Sequence, residues 1–200
     1  MSATAAPYGA RPVGTLSAAG SWTAKRIGIP ITGSYGTAIF YGDFVQLVAA
    51  GTLEKDTGTT TLNPVGIFVG CSYTDPTTGQ PTHSQQWPAS NAATDPIGWV
   101  VNDPDVIFEM QSATTVPQTE LGLNFIVTQT AGSTAIGTSK NALAASPVVT
   151  ATIPIRVIGF KDGIDSAVGD AFTDCLCVFN APNAPLTVAN GHQYRVALGF

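Results

Sequence analysis

Glycine and proline are spread along this chain so evenly that they leave little room for helices. The sequence holds 21 glycines and 14 prolines, and few windows between them could carry three uninterrupted helical turns. In a helix interior, glycine costs about 1 kcal/mol and proline about 3 kcal/mol relative to alanine. No long stretch repeats its apolar residues at the helical period of 3.6. The sequence therefore predicts at most a short helix or turn at residues 138–145 and at residues 165–171.

Apolar, β-branched and aromatic residues occur instead in short runs that are typical of β-strands. Strands are predicted at residues 25–31, 38–49, 64–73, 97–101, 106–111, 123–129, 148–160 and 175–180, with residues 194–198 as a last candidate. Gly42 and Asp43 interrupt one run, which predicts a bulge or corner. Eight or nine short strands separated by turn residues predict an all-β fold, an antiparallel β-sandwich or barrel with a jelly-roll-like arrangement.

The two ends of the chain differ in composition from the middle. Residues 1–24 are rich in Ala, Ser, Gly and Thr, and residues 181–200 begin with a segment that contains two prolines. These segments predict extended N- and C-terminal arms on either side of a β-core formed by residues 25–180. We expect the arms to be interface elements. Residues 74–90 and 128–139 predict long surface loops, which often serve binding or assembly.

The composition indicates a protein whose surface is largely covered by partners. Hydrophobic residues make up 44% of the chain and charged residues 10%, whereas soluble domains average about 25% charged residues. Faces of this kind suit contacts with copies of the same chain or with a larger assembly. We therefore expect a homo-oligomer.

The distribution of charge and apolarity argues against nucleic acid and membranes as partners. The net charge is −5, and no block of Lys or Arg is present to neutralise a phosphate backbone. No segment reaches the roughly 18 uninterrupted apolar residues that a membrane-spanning helix needs. The first residues also lack the apolar segment of a secretory signal.

Residues suited to catalysis are few. The only histidines, His83 and His192, lie in polar, loop-like sequence, where exposure to solvent or burial in an interface is expected. No G-x-S-x-G motif supplies a nucleophile. Glutamate occurs only three times, which leaves little material for a pair of catalytic carboxylates. We predict that the chain is not an enzyme.

The cysteines and aspartates do not form a recognisable metal motif. Three cysteines argue against a disulfide framework and fit a reducing compartment. Cys175 and Cys177 share one face of a predicted strand and lack companion ligands, so we expect them to be small buried apolar residues. Four aspartates follow one another in residues 162–174 without the EF-hand spacing, and turn and capping roles are expected for them. No cofactor or metal is predicted.

Several short motifs resemble those of a family of small structural proteins from tailed-bacteriophage particles. They are Pro7-Tyr8-Gly9, Arg11-Pro12, Tyr41-Gly42-Asp43, Pro64-Val65-Gly66-Ile67-Phe68, Ser72-Tyr73-Thr74-Asp75-Pro76, Asn102-Asp103-Pro104-Asp105, Asp165-Ser166-Ala167-Val168-Gly169-Asp170 and His192-Gln193-Tyr194-Arg195. The resemblance extends over nearly the whole chain and includes no catalytic signature.

This resemblance implies a head decoration, or cement, protein. Such a protein would be made in the host cytoplasm and would bind the major capsid protein on the capsid exterior. It would also bind itself, as a homotrimer rather than a homodimer. The residues expected to anchor these interfaces are Tyr8, Arg11, Trp22, Trp87, Tyr194 and Phe200.

Two other functions remain open at this point. The chain could belong to the tail or a fibre and bind a host glycan by stacking an exposed Trp87 on a sugar. It could also be a polysaccharide depolymerase. A major shell protein is disfavoured because the long helix usual in tailed-phage capsid proteins is missing from the sequence.

Overall fold

The computed structural model describes residues 4–16, 24–161, 163–180 and 191–195, and these residues are almost entirely β-structure. The strands are β1 (Arg11–Thr15), β2 (Arg26–Pro30), β3 (Ile39–Phe40), β4 (Phe44–Leu47), β5 (Leu53–Lys55), β6 (Gly66–Thr74), β7 (Pro81–Ser84), β8 (Gln86–Trp87), β9 (Ile97–Val101), β10 (Val106–Gln111), β11 (Asn124–Phe125), β12 (Val127–Thr128), β13 (Ala142–Leu143), β14 (Ile155–Phe160) and β15 (Asp174–Phe179). Two short 3₁₀ helices span Gln118–Glu120 and Gln193–Arg195.

Two antiparallel sheets contain most of these strands. The five-stranded sheet has the order β1-β10-β15-β14-β11. The six-stranded sheet has the order β2-β9-β6-β4-β5, with β7 paired to the far part of β6. Two short ribbons, β3-β8 and β12-β13, complete the fold. The predicted all-β, antiparallel fold class is confirmed.

The main core lies between the two sheets, which makes the fold a β-sandwich. Phe44 of the six-stranded sheet packs edge-on against Phe108 and Phe179 of the five-stranded sheet, with ring centroids 5.7 and 5.8 Å apart. Each sheet contributes further buried side chains to this layer, among them Ile67, Val101, Met110, Phe125, Ile155, Val157, Cys175 and Cys177.

The middle of the six-stranded sheet is buried on both faces. Successive side chains of a strand point to opposite faces, and both members of adjacent pairs are buried here, as in Phe44 and Val45, Ile67 and Phe68, and Val100 and Val101. The second face packs on a smaller core that contains Ile39, Val65, Trp87 and Ala93. Because this sheet is covered on both sides, the outward face of the sandwich belongs to the five-stranded sheet.

The structure differs from the sequence predictions at both ends of the chain. Residues 11–15, predicted as part of an arm, form edge strand β1 and pair with β10 of the same chain. The candidate strand at residues 194–198 begins instead within a 3₁₀ helix, and residues 196–200 lie outside the described residues. This helix is fixed to the core because the Gln193 side chain accepts from the Leu47 N–H at 2.7 Å and donates to the Leu47 carbonyl at 3.1 Å.

Two regions predicted as short helices or turns also have a defined structure. Residues 138–145 contain strand β13, whose partner is β12. Residues 165–171 form bends and turns before β15. None of the helices in the residues that the structure describes has the length and apolarity needed to cross a membrane.

The central position of Phe44 leads to a test of the sandwich arrangement. Phe44→Ala should lower the free energy of unfolding by about 3–5 kcal/mol, because it leaves a cavity between the two sheets. Val149→Ala, at a side chain that is 92% exposed, should change it by less than about 0.5 kcal/mol. Urea unfolding monitored by fluorescence measures both changes. Similar small losses for the two variants would contradict the arrangement.

Candidate interaction surface

The outward face of the five-stranded sheet has a polar end and an apolar end. Strand pairing places Arg11 beside Glu109 at one end. At the other end, Gly14 lies beside Ile107, and Val178 lies beside Arg156. The neighbouring side chains of each strand point inward to the core.

At the polar end, the N-terminal segment is held against the sheet by a cluster of charged side chains. The Tyr8 hydroxyl lies 2.6 Å from Glu109 Oε1 and 3.0 Å from Asp174 Oδ1. Lys161 Nζ forms an ion pair with Glu109 at 2.8 Å. The Arg11 guanidinium lies over the Tyr8 ring, 4.5 Å from its centroid. Tyr8 therefore anchors the N-terminal segment to its own chain, whereas Arg11 is exposed.

The two carboxyl groups of this cluster differ in acidity. Burial raises the pKa of Asp174, although the Tyr8 hydroxyl opposes this shift. Burial also disfavours the charged form of Glu109, but the hydrogen bonds from Lys161 and Tyr8 outweigh it and lower its pKa. Burial and hydrogen bonding to Glu109 raise the pKa of Tyr8. Because the Tyr8 hydroxyl has one proton, it donates to Glu109 or to Asp174, and the shorter distance is to Glu109.

At the apolar end, the same face holds a groove with a volume of about 460 Å³. The residues that line it are Leu16, Ala151, Arg156, Ile158, Val178, Phe179, Asn180 and Arg195. Leu16 is 57% exposed. The two guanidinium groups are both tethered, because Arg156 Nε donates to Asn124 Oδ1 at 3.1 Å and Arg195 forms an ion pair with Asp105. The groove therefore combines apolar walls with two positively charged side chains.

Tyr194 lies close to this groove, next to Arg195. Its ring is 51% exposed and packs against the His192 ring, with centroids 5.2 Å apart. Asn102 Nδ2 donates to the Tyr194 hydroxyl at 3.4 Å. Tyr194 is thus accessible to a partner, as expected for an interface residue. Trp22 and Phe200, the other two anchors predicted in the arms, lie outside the described residues.

The sequence prediction that Trp87 is exposed is wrong. Its side chain is fully buried in the second core, and its ring packs edge-on against Tyr73 at 5.5 Å. The reason is the short ribbon in which β8 pairs with β3, which places Trp87 beside buried Ile39. Trp99, by contrast, is only half-buried, and the Arg26 guanidinium lies over its ring at 5.5 Å.

The two histidines have opposite environments. His83 is exposed on β7, as the sequence predicts. The solvent exposure considered for His192 is wrong, because this side chain is 1% exposed and packs against the Phe179 ring at 5.3 Å. Burial and the nearby Arg195 lower the pKa of His192 to about 4. The neutral ring accepts a hydrogen bond at Nδ1 from the Tyr194 N–H at 3.2 Å.

The cysteines and aspartates behave as structural residues in this fold. Cys175 and Cys177 are fully buried in the main core, as predicted, and burial raises the pKa of the Cys175 thiol to about 12. Asp170 Oδ2 accepts from the Ala167 N–H at 3.1 Å, which is the predicted turn role. Asp162 lies outside the described residues. Across the described ranges, no group of three or more His, Cys, Asp or Glu side chains could hold a metal ion.

A buried polar network at the Gly42-Asp43 corner is a feature that the sequence analysis missed. Asp43 is fully buried and forms an ion pair with Lys55 Nζ at 2.9 Å. It also accepts from Ser139 Oγ at 2.6 Å and from Asn141 Nδ2 at 3.2 Å. The sequence signal for this network is an aspartate inside an apolar run, because a buried carboxylate needs hydrogen-bonding or oppositely charged partners. The positions of Ser139 and Asn141, almost a hundred residues away from Asp43, could not be inferred.

The shifted pKa of His192 leads to a test of the packing beneath Tyr194. In NMR titrations the His192 ring should titrate near 4, well below the ordinary histidine value of 6.5. The histidine of the unfolded state binds a proton at a higher pH than the buried His192 does. The free energy of unfolding should therefore fall as the pH drops from 6.5 towards 4. His192→Gln should remove this component, whereas His83→Gln should keep it. A His192 ring that titrates near 6.5 would contradict the buried position.

Comparison with known proteins adds no relative, since no family model, no curated protein and no solved structure matches this chain. The resemblance to phage structural proteins therefore stays a prediction from the motifs in the sequence.

Proposed function

We propose that this chain is a structural protein of a tailed-bacteriophage particle, a decoration protein that binds the outside of the head and stabilises contacts between major capsid subunits. The observation that carries the proposal is the groove on the outward face of the five-stranded sheet. It offers apolar walls and two tethered guanidinium groups on a rigid support. The motif resemblance directs the proposal to a phage head.

The physical properties of this face suit a clamp between protein subunits. Burial of apolar surface contributes about 25 cal/mol per Å², and a preorganised β-sheet loses little conformational entropy when it binds. Many identical contacts repeated over a symmetric shell give an avidity that one contact lacks. A modest groove in each subunit is therefore sufficient for stable attachment.

The chemistry of the groove indicates which segment of a capsid protein would bind. Leu16, Ile158 and Val178 favour an apolar side chain. Arg156 favours a neighbouring carboxylate, which an arginine can bind through two hydrogen bonds, whereas Arg195 already pairs with Asp105. We therefore expect an exposed capsid segment in which an apolar residue lies next to Asp or Glu.

The proposed assembly is a homotrimer. Light scattering of the purified protein would measure the number of copies in this assembly.

The alternative of a tail protein that binds glycan receives no support from the fold. That function depended on an exposed Trp87, and Trp87 is fully buried. We therefore do not propose it.

The groove can be tested by reconstitution on particles that lack this protein. Purified protein is added to such particles, and the bound fraction is measured after sedimentation. Leu16→Lys should lower the affinity at least about tenfold, which corresponds to about 1.4 kcal/mol. The reason is that a third positive charge enters an apolar contact beside two arginines.

Ile136→Lys provides the matched control. Ile136 is also an exposed apolar residue, at 65%, but it lies in the loop between β12 and β13, away from the groove. This variant should bind like the unmodified protein, and thermal unfolding of both variants checks that they remain folded. Equal binding by all three proteins, or a loss restricted to Ile136→Lys, would contradict the groove as the capsid contact.

A further inference from the structure

The buried network around Asp43 brings a lysine amine and an asparagine amide to the same carboxylate. Lys55 Nζ lies 2.9 Å from Asp43 Oδ2, and Asn141 Nδ2 lies 3.2 Å from Asp43 Oδ1. Lys55 is at the end of β5, and Asn141 directly precedes β13. The two side chains therefore come from distant parts of the chain and meet on one acidic group.

The site is closed to solvent and partly apolar. Asp43 and Asn141 are 0% exposed, and the Lys55 side chain is 9% exposed. The Phe40 ring lies on one side of the amine, with its centroid 6.0 Å from Lys55 Nζ. Two buried charges are costly to desolvate.

The asparagine amide is also polarised at its carbonyl. Asn141 Oδ1 accepts a hydrogen bond from the Thr130 N–H at 3.0 Å. A backbone N–H directed at this oxygen stabilises negative charge that develops there during attack at the amide carbon. Ser139 Oγ holds the Asp43 carboxylate in place by donating a hydrogen bond to Asp43 Oδ1 at 2.6 Å. The amine of Lys55, the carboxylate of Asp43 and the N–H of Thr130 thus surround the Asn141 amide, as nucleophile, proton carrier and stabiliser of the oxygen.

We propose that Lys55 and Asn141 join in an intramolecular isopeptide bond, with Asp43 as the group that carries the proton. Lys55 Nζ attacks Asn141 Cγ, the Nζ–Cγ bond forms, and the Cγ–Nδ2 bond breaks. Nζ gives up two protons, of which one passes through Asp43 to the departing Nδ2, which leaves as ammonia, and the other stays on Asp43. The reaction needs no oxidant, cofactor or activated co-reactant. The reaction requires the flexible four-carbon stem of lysine to bring Nζ to Asn141 Cγ while it stays close to the carboxylate.

The bond would join the six-stranded sheet to the β12-β13 ribbon through a covalent link in the protein interior. A cross-link between residues far apart in sequence restricts the unfolded chain more than a short one does. The bond between Lys55 and Asn141 would suit a protein that must resist mechanical load. The inference itself does not depend on the proposed function, because it concerns the isolated chain.

Intact-mass spectrometry of the unmodified protein tests the proposal directly. The expected mass is that of the sequence less one ammonia molecule, and tandem spectra of a protease digest should show a branched peptide that joins residues 55 and 141. A mass equal to that of the sequence would overturn the proposal. Loss of one water molecule would also overturn it, because that result would place the bond between Lys55 and the Asp43 carboxyl.

Lys55→Arg is the matched variant, since arginine keeps the positive charge beside Asp43 but is not a nucleophile. Its mass should equal that of its sequence, and it should migrate more slowly in denaturing gels than the cross-linked protein. The mass of Asp43→Asn should likewise equal that of its sequence, with no ammonia lost. If either variant fails to fold, the mass of the unmodified protein still decides the question.

Discussion

The corner at Gly42 and Asp43 is the point on which the other parts of this fold depend. The Asp43 carboxylate binds Lys55, Ser139 and Asn141, while the backbone of the corner pairs with β6 and with the N-terminal segment. The chains cross so closely that a side chain on Gly42 would meet the Tyr8 carbonyl oxygen at 2.9 Å. Gly42 also has a φ of +88°, which favours glycine. Loss of one partner would leave a buried charge without compensation, which is strongly destabilising.

The two cores determine which surface of the protein can meet a partner. The six-stranded sheet is enclosed by the main core on one face and by the second core on the other. The five-stranded sheet therefore provides the outward face. On it, the Tyr8 cluster fixes the N-terminal segment at one end and leaves the groove at the other. The anchored N-terminal segment and the groove thus lie at opposite ends of one sheet.

The sequence predicts those parts of the fold that depend on local patterns. Strands β9 and β10 agree with the prediction at every residue, because short runs of apolar residues flank a turn rich in Asp and Pro. Strand β1 was missed, since Arg11–Thr15 contains Gly and Pro and is ordered by pairing with β10. The burial of Trp87 and the partners of Asp43 depend on contacts between distant segments. Pattern analysis detected the corner itself but could not identify what surrounds it.

The most direct test of the proposed role is the number of copies of this chain in purified particles of the phage that the proposal implies. Quantitative mass spectrometry of whole particles, with the major capsid protein as the internal reference, gives this ratio. A protein that decorates the head lattice should be present in numbers close to those of the major capsid protein. A handful of copies per particle, or none, would contradict the account and the proposal that the groove contacts the capsid.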